Sequence, residues 1–156
     1  RLLAKQLSAP FVEVDAQVEE KAGLALGEIF EFHGPKHYRE LERQVLAELL
    51  LQPGVMVLAT GGSLVTEAEN WALLRQETQT VWLQASPEAH LSRVERQGDL
   101  RPMQGRQDAL AELRQILQRR APFYAQASIH LDTERLGNPK KVVDQILSRI
   151  SLSKKP

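Results

Sequence analysis

The chain has 156 residues, which is enough for one domain with a sizeable hydrophobic core. Its 20 basic residues balance its 20 acidic ones, which excludes binding of nucleic acid or membranes through net charge. It has no cysteine, which excludes disulfides, thiolate catalysis and cysteine-based metal sites, and no apolar stretch reaches the length of a membrane span. We therefore expect a cytoplasmic protein that holds its ligand by local charge.

The predicted elements alternate between helices and strands. In chain order they are a helix over 1–7, a strand over 11–14, helices over 16–22, 26–32 and 38–51, a strand over 55–60, a helix over 71–75, a strand over 80–83, a helix capped by Ser86 that runs to 96, a helix over 109–120, a strand over 129–131 and a helix over 139–150. This alternation predicts a three-layer α/β/α fold with a parallel sheet. Because no N-cap precedes the first helix, we expect the chain to begin inside it.

The apolar run from Val55 to Thr60 ends at Gly61 and Gly62. Such a run predicts a strand buried on both faces, and parallel sheets bind ligands at the carboxyl ends of their strands. The two glycines therefore either offer backbone N–H groups to a ligand or form a tight turn that needs positive φ.

Five motifs occur in the order and at roughly the spacing seen in shikimate kinases. They are Phe11-Val-Glu-Val-Asp15, the segment 34–42 with Tyr38-Arg39, Ala59-Thr-Gly-Gly62, Leu100-Arg-Pro102 and Arg119-Arg-Ala-Pro-Phe-Tyr124. The chain thus resembles that family over almost its whole length, which implies one P-loop nucleoside-kinase-like domain over 1–156. Because no G-x-x-x-x-G-K-[ST] pattern occurs, we expect the phosphate loop and the N-terminal strand before it to be missing from this chain. We then expect no phosphoryl transfer by this chain alone.

The resemblance implies a role for each matched position. Asp15 would accept hydrogen bonds from the hydroxyls of a sugar acid and orient or deprotonate the attacking one. Arg39 and Arg120 would bind a carboxylate with their planar guanidinium groups. Gly61 and Gly62 would donate backbone N–H groups to the ligand. Taken singly, each charged residue also fits an ordinary solvent-exposed position.

Further positions concern the nucleotide. Arg101 would lie on a mobile lid over the nucleotide phosphates, and Glu42 would hold Arg39 in place. Glu13 stands where these kinases usually carry an aspartate associated with magnesium, so it is a candidate metal ligand with a longer side chain. Ser63 replaces the third glycine of the usual triplet. A kinase would require ATP and Mg²⁺.

A second resemblance concerns the lid region. The segments 90–94, 97–103, 109–117 and 120–124 resemble the C-terminal domains of benzoyl-CoA-responsive transcriptional regulators. This resemblance implies an effector-binding sensor domain that needs no cofactor, in which Arg101 or Arg120 pairs with CoA phosphates, and DNA binding through an upstream domain. The retained Asp15, Arg39 and Arg120 favour a hydroxylated acid and a shikimate kinase, which phosphorylates the shikimate 3-hydroxyl. We give the longer lid segment more weight and predict the sensor, with the kinase as the alternative.

Overall fold

The structure is a computed structural model, which describes residues 1–96 and 108–150. The chain divides into two compact units. The first unit contains Arg1–Thr78 and Ile150, and the second contains the described residues between Gln79 and Arg149.

The first unit consists of helices around a pair of parallel strands. Its elements are α1 (Leu2–Leu7), β1 (Phe11–Glu13), α2 (Val14–Ala22), α3 (Leu26–Leu50), β2 (Val57–Ala59), a 3₁₀ turn (Leu64–Thr66) and α4 (Ala68–Glu77). β1 and β2 are parallel, with Phe11 opposite Val57 and Glu13 opposite Ala59. Helix α2 packs on α3, and apolar side chains of both helices are fully buried there. These contacts build the core of the first unit.

Helix α3 contains a sharp break at Gly34. This residue has φ 76° and ψ 174°, a conformation that side chains disfavour, and Pro35 follows it. The interruption predicted between the helices over 26–32 and 38–51 is therefore confirmed. The second segment carries the buried stripe of α3. That stripe comprises Tyr38, Glu42, Val45, Leu46 and Leu49.

Strand β2 is shorter and less buried than predicted. It covers Val57–Ala59, where all three residues are half-buried, and Val55 is 47% exposed. The prediction of a strand buried on both faces is therefore wrong. Among the described residues β2 pairs with β1 alone.

The second unit also contains a parallel strand pair. Its elements are β3 (Val81–Gln84), α5 (Pro87–Arg96), α6 (Ala109–Tyr124), β4 (Ile129–Asp132), α7 (Thr133–Leu136) and α8 (Pro139–Leu147). β3 and β4 are parallel, with Val81 opposite Ile129. The Ser86 hydroxyl accepts the Ala89 N–H at 3.1 Å, and Pro87 is the first residue of α5. The predicted cap of α5 is therefore confirmed.

Within the described ranges, no helix combines the length and the apolar character needed to cross a lipid bilayer.

Candidate functional site

Asp15 lies where β1 passes directly into α2. It is the second residue of α2, a position where the helix dipole favours a carboxylate. Asp15 Oδ1 accepts the Tyr38 hydroxyl at 2.8 Å. The side chain of Asp15 is thus held by α3 while its residue stays half-buried rather than enclosed. A carboxylate in this setting can accept a hydrogen bond from a ligand hydroxyl.

Glu42 is a carboxylate within the apolar stripe of α3. Its side chain has no solvent exposure, so its charge requires compensating donors. Oε1 accepts the Tyr38 hydroxyl at 3.1 Å, and Oε2 accepts Arg39 Nη1 at 2.7 Å and Asn70 Nδ2 at 3.0 Å. Both oxygens therefore have partners, and the expected role of Glu42 as a support for Arg39 agrees with this geometry.

The guanidinium of Arg39 is fixed from three directions. Besides the Nη1 bond to Glu42, Nη2 donates to Ser63 Oγ at 2.6 Å, and Nε lies 3.4 Å from Glu67 Oε1. The Arg39 side chain is 19% exposed. A guanidinium has five N–H donors, and these contacts engage three of its nitrogens once each. Arg39 therefore retains N–H groups for a ligand carboxylate while its own position is set by protein.

Tyr38 connects Asp15 to Glu42. Burial raises the pKa of the Tyr38 hydroxyl, and its hydrogen bond to Asp15 and the nearby Glu42 carboxylate raise that pKa further. All of these effects disfavour a phenolate beside two acids. The Tyr38 hydroxyl therefore remains a proton donor throughout the neutral range.

Gly61 lies against the Asp15 carboxylate. A Cβ at this position would be 3.4 Å from both Asp15 oxygens. Neither Gly61 nor Gly62 has positive φ, so the reading of this pair as a turn that needs glycine for its backbone conformation is wrong. At Gly61 the close approach of Asp15 gives the reason for a residue without a side chain. Gly62 is exposed, and its expected N–H donation to a ligand stays a prediction.

Three further predicted positions are Arg120, Arg101 and Glu13. Arg120 lies on α6 in the second unit and is half-buried, and its side chain has no hydrogen bond or ion pair with another residue of the described ranges. Arg101 and the lid segment 97–103 lie outside the described residues. Glu13 ends β1 and lies 3.3 Å from Arg1 Nη2, with its side chain 49% exposed. In the part of the chain that the structure describes, no three His, Asp or Glu side chains are arranged to hold a metal ion.

Several members of the cluster were not predicted from the sequence. The sequence predicts no role for Asn70 or Glu67, and it marks Ser63 only as a departure from a glycine triplet. Tyr38 was part of a motif but had no function of its own. The spacing of Glu42 to Val45, Leu46 and Leu49 would have indicated a buried carboxylate in need of donors. No comparable signal in the sequence indicates Asn70 or Glu67.

Comparison with known proteins identifies the family. The shikimate kinase family profile matches residues 1–151. The chain belongs to the shikimate kinase family. A shikimate kinase of a Synechococcus species is 40% identical over 148 residues, which are 95% of this chain and 77% of that protein. A shikimate kinase of Nitrobacter winogradskyi is 42% identical over 129 residues, which are 83% of this chain and 59% of that protein.

Solved structures show the same relationship. A shikimate kinase from Acinetobacter baumannii in complex with shikimate superimposes with a TM-score of 0.80 at 32% identity, covering 94% of this chain and 80% of that one. The enzyme from Bacteroides thetaiotaomicron gives a TM-score of 0.80 at 29% identity over 94% of this chain and 86% of that one. The fold is therefore the α/β P-loop kinase fold of the shikimate kinases. That the N-terminal strand and phosphate loop are missing stays a prediction.

The prediction of a sensor domain is wrong. The Synechococcus relative and a second cyanobacterial relative that matches the whole chain are named shikimate kinases, and so is the matching structure from Acinetobacter baumannii. None of these findings supports a benzoyl-CoA-responsive regulator or a DNA-binding partner. The lid resemblance misled because its longer match was given more weight than Asp15, Arg39 and Arg120, the positions that favour a kinase.

Proposed function

We propose that this chain provides the acceptor-binding part of a shikimate kinase, which transfers the γ-phosphoryl group of ATP to the 3-hydroxyl of shikimate in aromatic amino-acid biosynthesis. The observation that carries the proposal is the Asp15 carboxylate, held at 2.8 Å by Tyr38 and lying against Gly61. It places a carboxylate beside an arginine network in one unit of the chain. A ligand with both hydroxyl and carboxylate groups fits such a combination.

Asp15 is the proposed base. In the transfer, the 3-hydroxyl oxygen forms a bond to the γ-phosphorus, the bond from that phosphorus to the bridging oxygen of ADP breaks, and the hydroxyl proton passes to the Asp15 carboxylate. Before transfer, the same carboxylate accepts a hydrogen bond from the hydroxyl and orients its oxygen. The contact with Tyr38 leaves the second carboxylate oxygen for this task.

Arg39 is the proposed carboxylate-binding residue. Its contacts to Glu42, Ser63 and Glu67 hold the guanidinium before the ligand arrives, which lowers the entropy lost on binding. Arg120 is a proposed second arginine for the ligand carboxylate, and Arg101 a proposed nucleotide contact. Both of these assignments rest on the sequence resemblance.

The nucleotide side of the reaction requires ATP and Mg²⁺. Residues 1–156 contain no G-x-x-x-x-G-K-[ST] pattern, and the Glu13 carboxylate pairs with Arg1. The described residues thus do not form a site for Mg²⁺ and nucleotide phosphates, so we assign no step to the metal.

The test separates binding from transfer. Calorimetry on this chain is expected to show shikimate binding, and Arg39→Lys is expected to weaken it about tenfold, because a point-charge ammonium cannot replace the planar fork. Arg43→Lys is the matched control, since Arg43 pairs with Glu69 at an exposed position. No binding of shikimate by the wild-type chain would contradict the proposal.

Transfer is tested in the gene product that carries this chain. A coupled assay is expected to show ADP formation that depends on shikimate. Asp15→Asn is expected to lower kcat about a hundredfold or more, because asparagine cannot accept the proton. An unchanged kcat in this variant would show that Asp15 is not the base.

A further inference from the structure

The Tyr38 hydroxyl has more acceptors than protons. It lies 2.8 Å from Asp15 Oδ1 and 3.1 Å from Glu42 Oε1, and a phenol carries a single O–H. It can therefore donate one full hydrogen bond at a time. The residue is 3% exposed, so bulk water does not compete strongly for this proton.

The two acceptors differ in their need for this proton. Glu42 also receives Arg39 Nη1 and Asn70 Nδ2, so its charge is compensated without Tyr38. Asp15 receives no side-chain donor other than Tyr38 among the described residues. The shorter distance to Asp15 agrees with this difference in need. The hydroxyl therefore serves mainly to hold Asp15.

The ring of Tyr38 is placed independently of its hydroxyl. The Phe30 ring packs against it with centroids 4.8 Å apart, and the Arg39 guanidinium carbon lies 4.9 Å from its centroid. Phenylalanine would keep these contacts and the buried volume. Removal of the hydroxyl alone is thus a clean change at this position.

We propose that Tyr38 is a positioning residue, whose hydroxyl fixes Asp15 through Oδ1 so that Oδ2 meets the reacting hydroxyl of the ligand. This inference rests on the proposed function and deepens it. The related enzyme in complex with shikimate supports the choice of ligand. The role of Tyr38 is inferred only from the contacts of Tyr38 in this chain. In this role Tyr38 acts through Asp15 rather than through a contact of its own with the ligand.

The experiment compares two ligands and two proteins by calorimetry on this chain. Shikimate offers a 3-hydroxyl to Asp15, whereas its 3-keto analogue offers no proton at that carbon. Tyr38→Phe is expected to weaken shikimate binding about tenfold, the scale of one hydrogen bond to a charged group, and binding of the keto analogue less than about threefold. If Tyr38 had only a structural role, Tyr38→Phe would lower the affinity for both ligands equally.

Thr78→Val is the matched control. It also removes a hydroxyl from the first unit, where Thr78 Oγ1 donates to the Leu74 carbonyl at 2.6 Å, and it should leave both affinities unchanged. Equal weakening of both ligands by Tyr38→Phe would overturn the inference while leaving the proposed function intact. Failure of the wild-type chain to bind shikimate would overturn the proposed function and this inference together.

A measurement on the wild-type chain covers the case in which Tyr38→Phe does not fold. The Tyr38 hydroxyl proton, shielded by burial, is expected to give a slowly exchanging NMR signal. Addition of shikimate should shift that signal more than the keto analogue does, because only shikimate donates to Asp15. Identical shifts with the two ligands would overturn the inference.

Discussion

Two arginine–glutamate pairs, one in each unit, have the same charged groups but differ in their exposure to solvent. Arg39 and Glu42 in the first unit are largely removed from water, and further polar groups complete their contacts. Arg114 and Glu88 in the second unit form a close pair in which both side chains are more than half exposed. A buried pair must offset a large desolvation cost, whereas an exposed one is screened and contributes little. The buried pair therefore marks the position where geometry matters for function.

The largest expected effect is at Glu42. Glu42→Ala leaves the Arg39 charge and the Asn70 amide without their buried acceptor, and should lower the free energy of unfolding by about 3 kcal/mol. Urea denaturation of the wild type and the variant measures this loss. Glu48→Ala is the control on the same helix, where Glu48 pairs with Lys21 and is 63% exposed. Equal losses in the two variants would show that burial does not distinguish these pairs.

The second prediction concerns alkaline pH. Because the folded-state pKa of Tyr38 is raised, the unfolded chain releases this proton first, near pH 10, while the folded chain retains it. The stabilisation that comes from keeping Tyr38 protonated in the folded chain is fully present below pH 10. Above pH 10 the free energy of unfolding falls by up to about 1.4 kcal/mol per pH unit. Urea denaturation between pH 8 and 11 should show a steeper loss for wild type than for Tyr38→Phe. Parallel curves would contradict the raised pKa.

The fold was more predictable than the site, and particular residues show why. The break at Gly34 and the cap at Ser86 depend on local backbone chemistry, so a single sequence contains enough information to place them. The contact of Arg39 with Ser63 joins residues 24 positions apart, and that of Asn70 with Glu42 joins residues 28 apart. Such pairs become visible only when tertiary packing brings α3 and the segment after β2 together.

The third prediction concerns Gly61, which lies against the Asp15 carboxylate. Gly61→Ala would place a methyl group 3.4 Å from both carboxylate oxygens, which is ordinary contact and partly shields them from a ligand. Since φ at Gly61 is not positive, stability should change by less than about 1 kcal/mol. Shikimate affinity should fall a few-fold, by about 1 kcal/mol at most.

Gly27→Ala is the control for that glycine. A Cβ there meets nothing within 4 Å, and the residue lies in the first turn of α3, where alanine is a better helix former. Shikimate affinity should not change in this variant, as calorimetry can check. A loss of affinity at Gly27 equal to that at Gly61 would remove the argument that Gly61 serves Asp15.

The smallest effect is expected at the exposed pair. The hydrogen bond from Arg114 lowers the pKa of Glu88, so this contribution to stability is present at neutral pH and lost as the pH falls through that lowered pKa. Because both side chains are largely in water, the contribution is small and Arg114→Ala should lower the urea midpoint at pH 7 only slightly. NMR titration should show the Glu88 pKa returning toward its ordinary value, and concentrated salt should move it the same way in wild type. A clear fall in the urea midpoint would mean that exposed and buried pairs contribute alike in this protein, against the distinction drawn from Glu42.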